Sequence, residues 1–89
     1  MKAEIKIKAI RRLKIVEGQL RALRTMVESE EYCIDIITQS SAVRKAVSGV
    51  EDLIMENHLL THVVHQIKSG HITQAKNEIL KVYKLKGSK

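Results

Sequence analysis

The 89-residue chain has no Pro, no Phe and no Trp, only four Gly, two Tyr and one Cys. Lacking proline and short of glycine, it is without the punctuation that turn-rich β architectures require, and long helices are permitted. Tyr32 and Tyr83 are the only aromatics, too few to stack successive bases of a single strand. They also leave little bulky material for a core, and a domain this small is marginal unless copies associate. One cysteine excludes an internal disulfide, so Cys33 is a free thiol or a ligand, in keeping with a reducing compartment. No run approaches the ~20 apolar residues that cross a bilayer. The N-terminal residues alternate charged and apolar types, unlike the apolar stretch of a secretion signal. These features predict a single cytoplasmic domain over residues 1–89 with no membrane role.

What is present is positive charge. Sixteen Lys and Arg face ten Asp and Glu, a formal net charge of +6. Such a balance attracts polyanions, and nucleic acid is the leading partner. Lys2, Lys6, Lys8, Arg11, Arg12 and Lys14 crowd the first fourteen residues against Glu4 alone, and Arg21, Arg24, Arg44 and Lys45 extend the basic surface. Any one of these is an ordinary solubilising charge; the cluster is the signal. No helix-turn-helix pattern is evident, so contacts are expected to follow the DNA backbone, with selectivity drawn partly from DNA shape.

Apolar periodicity predicts three helices. Leu13, Val16, Leu20, Leu23 and Val27 are spaced by three and four residues, one stripe of a first helix. Glu28 to Glu31 reads as a solvated acidic connection. A second helix opens near Cys33, carries Val43, Ala46, Val47, Val50, Leu53, Ile54, Leu60, Val64 and Ile67, and stops at Ser69-Gly70, where glycine suits a left-handed helix end. Gly49 weakens its middle by about 1 kcal/mol relative to Ala. The apolar phase nevertheless passes Gly49 without a slip, which favours one long rod over a hairpin. A third helix presents Ile72, Ala75, Ile79 and Val82. The expected fold is all-α: a three-helix protomer whose uncovered stripe is completed by other copies in an antiparallel four-helix-bundle dimer.

His58 and His62, four residues apart on a helix, project from one face and can reach one metal ion. The spacing alone is a weak signal. Cys33 would add a thiolate, but on a continuous helix it lies 25 residues before His58, roughly 37 Å at a rise of 1.5 Å per residue. A shared ion would therefore need the thiolate of one chain and the imidazoles of another, and twofold symmetry would give two such sites per dimer. One thiolate and two imidazoles suit Cu(I), or Zn(II), Ni(II) and Co(II) if further donors join. His65 is an extra donor or a solvated surface histidine, His71 reads as helix-start surface, and Met26 and Met55 as core filler.

Three segments, "RRLKIVEGQLRAL" at Arg11–Leu23, "YCIDIITQSSAVRKAV" at Tyr32–Val47 and "ENHLLTHVV" at Glu56–Val64, occur in order over most of the chain. Together they resemble the copper-sensing operon repressor family, CsoR/RcnR/FrmR, which also contains nickel and cobalt, formaldehyde and persulfide sensors. The resemblance implies an all-α dimer of dimers that represses metal-efflux genes and leaves operator DNA when its effector binds. It implies Cys33, His58 and His62 as metal ligands. His62 stands where the copper branch has a second Cys, and the nickel and cobalt sensors share the Cys, His, His set. Those sensors add an N-terminal His whose place falls here on Met1, leaving only the terminal amine. Tyr32 and Glu78 match copper-branch positions that support the ligands, which favours Cu(I). A ligating His needs its second ring nitrogen held, and a phenol or a carboxylate can do that. The N-terminal Pro of formaldehyde sensors and the second Cys of persulfide sensors are absent. The resemblance also places DNA contacts on the first helix at Arg12, with Lys14 and Arg44 as further candidates.

Two other classes are weighed. An enzyme built on Cys33 as nucleophile lacks a neighbouring His and a Gly-rich loop, so no enzymatic activity is expected. A basic architectural DNA-binding protein with incidental histidines would bind DNA in a salt-dependent manner indifferent to metal.

Overall fold

The computed structural model describes residues 1–87. Its elements are α1 (Ala3–Glu28), α2 (Cys33–His58), a π-helical turn (Leu59–Val63), α3 (Val64–Lys68) and α4 (Ile72–Gly87), and no strand occurs among the described residues. The all-α expectation holds. The chain packs as two compact units, one of residues 1–56 and one from Asn57 onward.

In the first unit, α1 reaches back to Ala3, well before the Leu13 stripe. Its buried line is Ile5, Ala9 and Val16, and α2 contributes Val43 and Val50. Most of the expected α1 stripe is not interior: Leu13, Leu20 and Val27 are exposed. These three recur every seven residues, the spacing of a seam that packs against another helix. A long helix carries more than one apolar line, and the sequence alone did not say which one the chain buries for itself.

Gly49 sits inside unbroken α2, as the rod reading expected. A Cβ at this position would lie 2.9 Å from Nη1 of Arg12. The missing side chain therefore lets the α1 guanidinium rest on the α2 backbone. Arg12 and Gly49 are equally far from the 29–32 connection, the pairing of an antiparallel helical hairpin.

Two helix ends share one hydrogen-bond pattern. After α1, the Glu31 N–H donates to the Met26 carbonyl at 3.0 Å and the Glu30 N–H to the Val27 carbonyl at 3.0 Å. After α3, the His71 N–H donates to Gln66 at 2.7 Å and the Gly70 N–H to Ile67 at 3.2 Å. Both are Schellman closures, which place one residue in left-handed backbone. That residue is Gly70 at φ 80° in one and Glu30 at φ 53° in the other.

In the second unit Asn57, Val63 and Ala75 are buried, and α3 packs on α4. Where the periodicity predicted plain α-helix through His62, the backbone takes a π turn, flanked by right-handed helical dihedrals at His58 and Val64. The Thr61 hydroxyl donates to the Asn57 carbonyl at 2.7 Å. Bonds of this kind compete with the helical ladder. Thr25 and Thr38 make the same bond within regular helices, so it accompanies the π turn without being its sole cause.

Candidate metal centre

Cys33 is the first residue of α2 and His58 the last. The Tyr32 carbonyl caps the start, accepting from the N–H groups of Asp35 at 3.0 Å and Ile36 at 3.2 Å. This leaves the Cys33 thiol exposed at the head of the helix. Among the described residues no group of three or more His, Cys, Asp or Glu is gathered to hold a metal.

The two histidines do come together. Their rings stack with centroids 5.3 Å apart and planes 28° from parallel. His58 Nε2 lies 3.2 Å from Oε2 of Glu78, with side chains 28% and 40% exposed respectively. A carboxylate only accepts, so His58 Nε2 carries the proton. In the neutral ring the Nδ1 lone pair is then left for a ligand.

Glu78 is itself held. Gln66 Nε2 donates to its Oε2 at 3.3 Å and Gln74 Nε2 to its Oε1 at 3.0 Å. The Gln74 bond, then the Gln66 bond, draws the carboxyl below its ordinary value; partial desolvation opposes them and His58 adds to the lowering. The side chain is thereby kept as an acceptor facing His58. Of the two rings on this face, His58 is the one whose Nε2 meets Glu78.

Of the other expected residues, Tyr32 is 71% exposed and supports α2 through its carbonyl. His65 is exposed on α3, and His71 is exposed just before α4, where its carbonyl accepts from the Ala75 N–H at 3.1 Å. Arg12, Lys14 and Arg44 are all exposed in the first unit. The sequence reading missed Thr61, Gln66 and Gln74. Gln74 had a signal, since it precedes Glu78 by one helical turn. Gln66 had none, because its bond to Glu78 crosses between α3 and α4.

Residues 5–84 match the family described as metal-sensitive transcriptional repressor. The chain belongs to this family. Its members are repressors of transcription, not enzymes. The repressor is 45% identical to the copper-sensing transcriptional repressor CsoR of Bacillus subtilis over 73 residues, covering 82% of this chain and 72% of that protein. It is 40% identical to the copper-sensing transcriptional repressor RicR of Mycobacterium tuberculosis over 60 residues, covering 67% of this chain and 62% of that one. Part of the mycobacterial relative's length thus has no counterpart in the match. Among solved structures, the repressor's fold matches copper-sensing CsoR with Cu(I) from Geobacillus thermodenitrificans at a TM-score of 0.86 and 34% identity, over 99% of this chain and 92% of that one. No helix among the described residues is long and apolar enough to cross a membrane.

Proposed function

We propose that the protein is a Cu(I)-responsive repressor that binds double-stranded operator DNA in its metal-free form, leaves it on binding Cu(I), and so derepresses metal-efflux or detoxification genes. The observation that carries this reading is the stacked His58–His62 pair with Glu78 fixing one ring. An imidazole with one nitrogen held presents the other to a metal, and such support typically accompanies ligation. The relatives' names supply copper, and the chemistry of the donors agrees: thiolate and imidazole are soft and borderline ligands that suit Cu(I). Bound copper would supply the tie that joins the Cys33 sulfur to the two rings.

In this reading residues 1–89 act as one sensing and DNA-binding domain, assembled as a homodimer and then a homotetramer. Each site takes Cys33 from one protomer and His58 and His62 from its neighbour. The heptad-spaced Leu13, Leu20 and Val27 support self-association, because an apolar line of this kind is seldom left in water. Arg12, Lys14 and Arg44 contribute to a phosphate-facing surface, and four copies of a +6 chain give it a strong field. Metal and DNA must then oppose each other reciprocally, with a typical coupling of about 1–3 kcal/mol. The His58–Glu78 bond is the proposed first step of that coupling, carrying the state of the ring to α4.

The test is operator binding titrated anaerobically with Cu(I), Ni(II), Co(II) and Zn(II) under chelator competition. Release by Cu(I) at the lowest free concentration is expected. Preferential release by Ni(II) or Co(II) would transfer the protein to the nickel and cobalt branch, and salt-sensitive binding indifferent to every metal would make it an architectural protein.

A further inference from the structure

The hydrogen bonds around the π turn carry an assignment for Thr61. A threonine hydroxyl has one proton to give and two lone pairs to offer. Thr61 Oγ1 gives its proton to the Asn57 carbonyl at 2.7 Å. The same oxygen lies 3.2 Å from Nδ1 of His62. With its proton committed, Thr61 can meet Nδ1 only as an acceptor, so His62 must carry its proton on Nδ1. The hydroxyl does not read the ring passively: a backbone carbonyl fixes which way it points, and it then fixes the ring.

We propose that Thr61 is a positioning residue that locks neutral His62 as the Nδ1–H tautomer and turns its Nε2 lone pair outward as the metal donor. The inference rests on the assignment of His62 as a ligand and adds the atom that ligates and the residue that selects it. The neighbouring ring is held in the opposite sense. Glu78 takes the Nε2 proton of His58 and leaves Nδ1, whereas Thr61 takes the Nδ1 proton of His62 and leaves Nε2. Two stacked rings thus offer different nitrogens, each chosen by its own acceptor.

The experiment uses the full-length metal-free protein with 15N-labelled histidine, at a pH where the rings are neutral. Long-range proton–nitrogen correlation spectra then report which ring nitrogen is protonated. His62 should be Nδ1–H in the unaltered protein and in Thr61→Ser, and should move toward Nε2–H in Thr61→Val, which keeps the shape but loses the acceptor. Cu(I) affinity from chelator competition should fall roughly tenfold in Thr61→Val, as for other residues that orient a ligand, and stay within about twofold in Thr61→Ser. A merely structural role for Thr61 would leave the tautomer unmoved. An Nε2–H ring in the unaltered protein, or an unchanged ring and affinity in Thr61→Val, overturns the proposal. Undiminished Cu(I) affinity in His62→Ala removes the ligand assignment and this inference with it, and the metal-free spectra separate that failure from an error in the hydrogen bond.

Discussion

The two units of the chain divide polar and apolar work unequally. Residues 1–56 build regular helices on small and medium aliphatic groups, Ile5, Ala9, Val16, Val43 and Val50, and hold Cys33 and the basic residues outward. From Asn57 onward the helix register changes, and within about twenty residues Thr61, Gln66, Gln74 and Glu78 hydrogen-bond to each other or to the two histidines. A scaffold can be built from periodicity alone, whereas donor atoms must be aimed, and aiming takes acceptors at particular places. π turns recur at functional sites, and here one carries His62. The imidazole half of the proposed centre is thus organised before any metal arrives. The thiolate half is an exposed side chain at a helix start.

The sharpest way to break this contrast is to remove the one donor that lies in the aliphatic unit. Cys33→Ala should abolish Cu(I)-driven release of operator DNA, with affinity for the ion falling by more than about a hundredfold, beyond the range for an outer supporting residue. Helicity and metal-free DNA binding should be retained, because the thiol is exposed. Release at an unchanged Cu(I) concentration would show that the second unit binds the effector unaided. Next in size is Glu78→Ala. It removes the acceptor that orients His58, so Cu(I) affinity should drop by roughly tenfold and the coupling to DNA should shrink by more than the affinity loss explains. Equal coupling in the variant and the unaltered protein would take Glu78 out of the relay.

How much of this was legible in the sequence follows the same division. Three helical runs, the second continuous from Cys33 through the π turn to Lys68, the unbroken passage through Gly49 and the stop at Gly70 were all readable, because each depends on local spacing or on one residue's backbone freedom. The interior line of α1 was not. Ile5, Ala9 and Val16 compete with Leu13, Leu20 and Val27 as apolar lines on one cylinder, and only tertiary packing decides between them. The pairing of His58 with His62 was legible as a spacing of four. The direction of each proton was not, since it depends on Glu78 reaching His58 from α4 and on the Asn57 carbonyl claiming the Thr61 proton. Which of the two rings Glu78 meets was not readable either, because separation along the chain does not fix which turn of a facing helix a side chain meets.

A third variant tests whether the first unit is more than scaffold. Gly49→Ala adds a methyl group where Nη1 of Arg12 lies 2.9 Å away, and the flexible guanidinium must move. An interior Gly-to-Ala change should stabilise α2 by about 1 kcal/mol. If Arg12 contacts DNA from its present position, operator affinity should fall a few-fold while thermal stability rises and Cu(I) affinity stays constant. Stability and DNA affinity rising together would mean that the Arg12 position on Gly49 is incidental.

The smallest expected effect comes from the two matching helix ends. Both close with the same pair of hydrogen bonds, yet one places Gly70 and the other Glu30 in left-handed backbone. For a residue with a Cβ that conformation is unfavourable by roughly 1–2 kcal/mol, partly offset because glycine loses more freedom on folding. Glu30→Gly should therefore stabilise the protein by about 0.5–1 kcal/mol, read as a raised denaturation midpoint, and should leave metal and DNA binding unchanged. Gly70→Ala should do the reverse by about 1 kcal/mol. Because Gly70 follows α3, which carries Gln66 on its last turn, it should also loosen the support of Glu78 and weaken Cu(I) binding slightly. A Gly70→Ala protein that loses stability with no change in Cu(I) affinity would show that the polar network survives a disturbed helix end, and that its order comes from its own hydrogen bonds.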